Sequence, residues 1–275
     1  MISSLLVSTF LVEAQKLTLE DIWKDYKFLP QFNSDFVFLK DNNSVARISG
    51  NYILKLDNLT LDTLDTIFDK TRFEVLTNDK IQDFETDTSN RYWLLTTKIN
   101  RVYRYSFTAV YYVYDRDRDT LTLLTPDRLP ASNACFSPDG RSISFVQNNN
   151  LYVSSSGRLT KVTSDGKDKS VINGHSDWVC EEEFEVKKAY EWSPGCRYLA
   201  WMRFDESKVP TWSLARFDSV YPSSYTYKYP KVGYPTSIVT VHVFDVQKKK
   251  KHDVVLPGGY AYVTQLSWSP DGENV

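Results

Sequence analysis

The sequence predicts an all-β protein organised as a partial β-propeller, and three observations carry that reading. Tyr, Phe and Trp number 18, 15 and 7 among 275 residues and recur beside Val, Thr and Ile, a composition that favours strands. A turn phrase recurs as Phe136-Ser137-Pro138-Asp139-Gly140, Trp192-Ser193-Pro194-Gly195 and Trp268-Ser269-Pro270-Asp271-Gly272. Between the copies the pattern is one of strand, polar turn and returning strand.

Taken in order, Leu17 to Trp23 reads as a short capped helix, with Thr18 at the N-cap and Asp21 three residues on. Thr88-Ser89-Asn90-Arg91 before Tyr92-Trp93-Leu94-Leu95 is a degenerate copy of the turn phrase. Thr108 to Asp115, the polar turn 116–119 and Thr120 to Leu124 form the outer hairpin of a blade. In the turn phrase an aromatic closes one strand, Pro fixes φ, Gly accepts a positive φ, and a second strand follows, as in Ser142 to Val146 and Tyr198 to Met202. Phe145-Val146 and Leu151 to Val153 flank the turn 147–150, and Val239 to Val246 and Asp253 to Leu256 flank 247–252. The anchors at 136, 192 and 268 lie 56 and 76 residues apart. Ordinary propeller repeats take ~40–50 residues, so these blades must carry insertions.

A hydrophobic share of 41% is that of a folded protein with a sizeable core. A net charge of −2 offers no general attraction for nucleic acid or an anionic membrane. The Lys248 to Lys251 run reads as a solvated hairpin tip and is assigned no function. Cys135, Cys180 and Cys196 include no C-x-x-C pair, which argues against zinc and against a complete disulfide framework, and leaves buried thiols. Ile2 to Val12 is apolar, and Val12-Glu13-Ala14 precedes Gln15 with compact groups suited to a signal peptidase. Residues 1–14 are therefore expected to be a signal-peptide remnant, with a buried first strand as the alternative. So short a stretch does not span a bilayer. The expected location is periplasmic or secreted.

Glu181, Glu182 and Glu183 follow Asp177-Trp178-Val179-Cys180 and run into Phe184. Alone, such a run is most often a solvated helix face. Beside large apolar groups, adjacent carboxylates repel one another and favour a cation, whether an ammonium, an Arg or a metal.

Together with the propeller repeat, the phrase from Asn173 to Glu183, the stretch Arg104-Tyr105-Ser106-Phe107-Thr108-Ala109, the Val209-Pro210 turn and Lys228-Tyr229-Pro230-Lys231-Val232-Gly233 resemble the dipeptidyl peptidase IV family in content and order. The resemblance covers residues 15–275. Members are serine exopeptidases that remove X-Pro or X-Ala dipeptides from peptide N-termini, with an eight-bladed propeller of four-stranded blades stacked on a C-terminal α/β-hydrolase domain. The resemblance implies that Glu182 and Glu183 grip the substrate α-ammonium, with Glu181 as a neighbour. It implies that Arg104 steadies the pair and bonds the penultimate carbonyl. By residue type alone, Arg104 would be an ordinary strand-end cation. Cys180 stands where the family usually has Tyr. The aromatic insertion from Val209 to Tyr234 corresponds to an arm reaching toward a second subunit, so a homodimer is expected of the full-length form, although such a loop would equally rim a pocket.

Hydrolase chemistry needs a Gly-x-Ser-x-Gly elbow followed by Asp and His. Gly174-His175-Ser176-Asp177-Trp178 imitates its start, but Trp178 fills the place of the second Gly, so Ser176 is not a nucleophile. His175, His242 and His252 read as surface residues without a catalytic partner. No catalytic residue, cofactor or metal is assigned. The expected role is substrate selection for a hydrolase domain absent from residues 1–275; a non-catalytic protein-interaction propeller is the alternative. An open ring with unpaired edges is expected to associate.

Overall fold

A computed structural model of the protein describes residues 16–29, 36–256, 258 and 262–275; the expected signal-peptide remnant lies outside them. Residues 1–35 and 36–275 are separate units. In the first, α1 (Leu19–Trp23) starts where predicted. The Thr18 hydroxyl accepts from the Asp21 N–H at 3.1 Å and Asp21 Oδ2 accepts from the Thr18 N–H at 3.0 Å, closing a capping box.

The second unit is a partial propeller of four antiparallel blades. The first blade is β1 (Val37–Phe38), β2 (Ser44–Ser49), β3 (Tyr52–Asp57) and β4 (Thr63–Asp69), in that order. The second follows as β5 (Ile81–Thr86), β6 (Tyr92–Arg101), β7 (Phe107–Asp115) and β8 (Thr120–Leu123). The third holds β9 (Ser132–Phe136), β10 (Ser142–Gln147), β11 (Asn150–Ser155) and β12 (Arg158–Lys161). The fourth differs. Two short strands, β13 (Val171–Asn173) and β14 (Tyr190–Trp192), pair along the same edge of β15 (Tyr198–Asp205), while β18 (Ile238–Asp245) and β19 (Lys250–Val254) follow on its other side. Between β13 and β14 lies α2 (Trp178–Phe184), and between β15 and β18 a separate hairpin of β16 (Thr211–Arg216) and β17 (Ser223–Lys228). These are the insertions that the repeat spacing demanded.

The core lies between blades, because alternate residues of each middle strand face opposite neighbours. On β6, Trp93 and Leu95 join Phe68, Ile53 and Tyr112 between blades one and two. Leu94 joins Tyr111, Ile143 and Phe145 between blades two and three. On β15, Leu199 and Trp201 pack with Val146, Leu151 and Tyr190, whereas Met202 and Phe204 face Ile172, Val239 and Val241. Both faces are filled, which is why these strands read as apolar runs rather than as clean alternation.

The turn phrase is a hydrogen-bonding unit. The hydroxyls of Ser137, Ser193 and Ser269 each accept from the N–H five residues on, at Ser142, Tyr198 and Asn274, at 3.0 Å in every copy. At Asp87 to Tyr92 the Asp87 carboxylate takes over, accepting from the Arg91 and Tyr92 N–H groups at 2.8 Å. Successive turns touch. A Cβ on Gly140 (φ +71°) would stand 2.8 Å from Asp87 Cβ.

The lysine run is not wholly a hairpin tip: Lys250 and Lys251 pair in β19 with Asp245 and Phe244. The turn is shorter than expected because Asp245 Oδ1 accepts from the Gln247 and Lys248 N–H groups, and Lys249 takes φ 52°. Cys180 alone is fully buried, while Cys135 and Cys196 are half-buried free thiols. His175 and His242 are half-buried and hydrogen-bonded, whereas His252 is exposed as expected. His175 contacts Ser176 O and Asn149 Oδ1 through its two ring nitrogens, and His242 stacks on Trp201 and pairs with Asp253 at 2.7 Å. Among the described residues no helix is long and apolar enough to cross a membrane.

The excursion carrying α2 opens and closes at one point of the blade. Gly174 N–H donates to Met202 O at 3.2 Å, Met202 N–H to Ala189 O at 2.8 Å, and Ala189 N–H to Gly174 O at 3.1 Å, so residues 175–188 leave the sheet and return opposite one residue of β15. Gly174 has φ +81°, and a Cβ there would lie 3.0 Å from Val146 and 3.2 Å from Tyr190. Gly174→Ala is expected to destabilise the protein by about 1–3 kcal/mol, read as a lowered urea midpoint at unchanged m-value.

Candidate functional site: the junction of an acidic helix and an arginine turn

Three elements meet here. The first is the turn joining β6 to β7, whose Val102 N–H donates to Ser106 O at 2.9 Å and which carries Arg104 at its tip. The second is α2, started by Asp177 at the N-cap, whose Oδ1 accepts from the Cys180 N–H at 2.9 Å and whose Oδ2 accepts from the Ser237 hydroxyl at 2.6 Å. The third is the β16–β17 hairpin.

The helix grips the turn by its backbone. The Arg104 N–H donates to Glu182 Oε1 at 3.1 Å, and the N–H groups of Tyr105 and Ser106 donate to Glu181 Oε1 at 2.8 and 2.7 Å. Three successive amides thus face two successive carboxylates, an anion-binding concavity of backbone filled by the protein itself. Arg104 Nε meets Glu182 Oε2 at 2.9 Å, with the arginine side chain 64% exposed and that of Glu182 13%. So exposed a cation contributes little to stability, at most about 1 kcal/mol. Glu183 is exposed and has no hydrogen-bond partner among the described residues.

Helical geometry explains this gradation. Successive side chains of an α-helix project about 100° apart, so Glu181 points inward at 1% exposure, Glu182 lies along the junction and Glu183 turns to solvent. Arg104 and Glu182, singled out in the sequence, are brought together; Glu183 stands beside them on the helix without touching the arginine. Glu181, expected to be only a neighbour, makes the two shortest bonds.

An aromatic panel completes the junction. Tyr225, Tyr227 and Tyr229 recur every second residue and share one face of the hairpin strand and its extension. Trp178, the first residue of α2, packs edge-on to Tyr229 with centroids 4.6 Å apart and tilts against Tyr227 at 6.2 Å. Tyr227 also meets Tyr103 at 6.2 Å, and the Tyr225 hydroxyl donates to Val102 O at 3.4 Å. The hairpin therefore touches both elements that carry the ion pair. The period-two tyrosines are the sequence signal for this wall, which stands where the aromatic insertion was expected to form an interface or a pocket rim.

Burial raises the Tyr103, Tyr225 and Tyr227 hydroxyls above their ordinary pKa, and the negative charge of Glu182 adds to the shift at Tyr227. Burial, with Asp177 beside it, also raises the Cys180 thiol, which favours an inert thiol. Glu206, 6% exposed at the end of β15, is pushed up to about 7 by burial first and then by the charge of Asp177.

A strand-built propeller whose fourth blade opens to admit an acidic helix, facing a cationic turn from the second, is a β-propeller domain with an inserted helix–turn junction. The "Dipeptidyl peptidase IV (DPP IV) N-terminal region" family matches residues 87–275, and the chain belongs to it. It is 33% identical over 193 residues to a probable dipeptidyl-aminopeptidase B of Talaromyces marneffei, covering 62% of this chain and 21% of that protein. Over 242 residues it is 28% identical to a probable dipeptidyl peptidase 4 of Arthroderma benhamiae, covering 82% and 31%. The crystal structure of Porphyromonas gingivalis dipeptidyl peptidase 4 superposes with a TM-score of 0.84 at 30% identity, over 91% of this chain and 37% of that one. The chain thus spans less than half the length of these relatives.

Glu206 generates a prediction that concerns stability alone. Ionising a carboxyl whose pKa is higher in the folded than in the unfolded state costs stability, so Glu206 lowers stability progressively as pH rises from about 4.5 to about 7. Glu206→Gln removes that cost. The variant is expected to exceed the wild type by about 2–3 kcal/mol at pH 8 and to match it near pH 4.5, measured by urea unfolding at both values.

Proposed function

We propose that this chain is the substrate-selecting propeller part of a serine exopeptidase that releases X-Pro or X-Ala dipeptides from peptide N-termini, and that Glu182 and Glu183, steadied by Arg104, bind the substrate α-ammonium. The observation that carries the proposal is the Arg104–Glu182 contact at 2.9 Å, bridging elements of two blades. Family membership and the names of the relatives supply the reaction class.

An ammonium offers three donors. Glu182 has one oxygen turned to the Arg104 amide and the other to its guanidinium, and each carboxylate oxygen can accept a second bond. Glu183, exposed beside it, supplies a second carboxylate from the same helix. Charge-assisted bonds of this kind are the stronger class. The guanidinium, which gives its Nε to Glu182 Oε2, has donors left for a substrate carbonyl. An ammonium fixed at this wall leaves only the second peptide bond within reach of a nucleophile about two residues away, so the wall measures the dipeptide.

In this reading the nucleophile, its base and the oxyanion donors belong to the α/β-hydrolase domain of the full-length protein, and the chain works in the periplasm or outside the cell. The exposed Phe217, Val220 and Tyr221 at the tip of the β16–β17 hairpin suit contact with a second copy.

In the protein that joins this chain to its hydrolase domain, Glu182→Gln or Glu183→Gln is expected to lower kcat/KM for Gly-Pro and Ala-Pro amides at least about tenfold, as loss of a charged hydrogen bond implies. Circular dichroism and melting temperature should stay unchanged. N-acetylated versions of the same substrates should not be cleaved, because the acetyl group removes the charge that the carboxylates meet. Wild-type kinetics in both variants would remove the glutamates from the reading.

A further inference from the structure

Glu181 is an expensive residue for its place. At 1% exposure an aliphatic side chain would occupy the same volume without the cost of desolvating a charge. Only Oε1 is used, by the Tyr105 and Ser106 amides; Oε2 is buried and meets no hydrogen-bond partner among the described residues. A burden of that kind is kept where geometry matters more than stability. The two amides held by Glu181 directly follow Arg104. The arginine side chain is 64% exposed and so takes its direction largely from its backbone.

We infer that Glu181 is a positioning residue: by clasping the amides of Tyr105 and Ser106 it fixes the 102–106 turn so that the Arg104 guanidinium meets Glu182, and it thereby sets the affinity of the amine site without touching substrate. This rests on the reading of Glu182, Glu183 and Arg104 given above. The clasp spans two blades that share no core cluster, the second and the fourth. On its other side the same turn is met by the Tyr225 hydroxyl at Val102 O and by Lys187, whose Nζ stands 4.4 Å from the Tyr105 ring centroid. These neighbours confine the turn, whereas Glu181 alone supplies acceptors to the two amides beside the arginine.

The test uses the protein with its hydrolase domain, in wild-type, Glu181→Ala, Glu181→Gln and Glu182→Gln forms. Hydrogen exchange at the amides of residues 104–106 reads the clasp, and steady-state cleavage of Gly-Pro-p-nitroanilide reads the amine site. Glu181→Ala is expected to lose about tenfold or more in protection at Tyr105 and Ser106 and to raise KM about tenfold, with kcat within about twofold. Glu181→Gln keeps an oxygen acceptor and is expected to retain most of both. If Glu181→Ala does not fold, Glu181→Asp, one methylene short of the amides, carries the same comparison. Unchanged protection overturns the clasp. Lost protection with a wild-type KM, while Glu182→Gln raises KM, overturns the positioning role and leaves the amine reading standing. If Glu182→Gln also leaves KM unchanged, the amine reading fails, and the positioning role falls with it.

Discussion

Two adjacent carboxylates on one turn of helix hold three successive amides of a hairpin two blades away, and the rest of the junction depends on that grip. The partners lie about 75 residues apart in sequence, at Tyr105–Glu181 and Ser106–Glu181. They meet only when the second, third and fourth blades have packed, because the clusters at Leu94, Phe145, Leu151 and Trp201 set the distance that the helix and the turn must bridge. The geometry of the junction is in this sense a readout of blade packing. Bonds of such long sequence separation form late and are the first to loosen when an interface between blades slips.

The way α2 is attached accounts for its precision. An insertion at the end of a blade would hang from a flexible connection, whereas this one interrupts a paired strand and re-enters it opposite Met202. Both of its ends are therefore held by β15, and the N-cap is tied by Ser237 to the segment leading into β18. Caps at both ends close a helix only seven residues long, Asp177 accepting from the Cys180 N–H and the Glu185 N–H donating to Cys180 O. So short a helix has little stability of its own; the fourth blade and the aromatic panel supply what its length does not.

Most of the architecture was legible because it rests on local chemistry. The Ser-Pro-Asp-Gly phrase announces itself since each residue has a separate job in the turn, whereas the degenerate copy at Thr88 to Arg91 showed only its outline, its acceptor Asp87 lying one residue before the phrase. Arg104 and Glu182 were found through the resemblance, not through spacing: nothing local to either says that they meet. The sequence was silent on the split of the fourth blade's first strand, because β13 and β14 are three residues each and too short for periodicity to register. It was silent also on Glu181, since burial of one carboxylate in a run of three depends on helix phase, and the phase is set by Asp177 capping rather than by an apolar stripe. The half-buried His175 escaped for a related reason. Its partner Asn149 lies in a hairpin turn of the preceding blade, and a contact of that kind has no signature in the chain.

A run of identical acids thus ends up with three duties, and the division follows from rotation alone. The inward carboxylate meets the protein through one oxygen, which takes the Tyr105 and Ser106 amides, while the outward one is left to solvent. The middle one does both, taking an amide on one oxygen and a guanidinium on the other while remaining 13% exposed. Had the helix begun one residue later, Glu182 would take the buried place and Glu183 the middle one, and the outward position would fall to Phe184. Only one phase puts a carboxylate in all three positions. The constraint on Asp177 is accordingly as strict as that on the glutamates: its carboxylate fixes the first turn, the first turn fixes the phase, and the phase decides which charge is buried and which is offered to solvent.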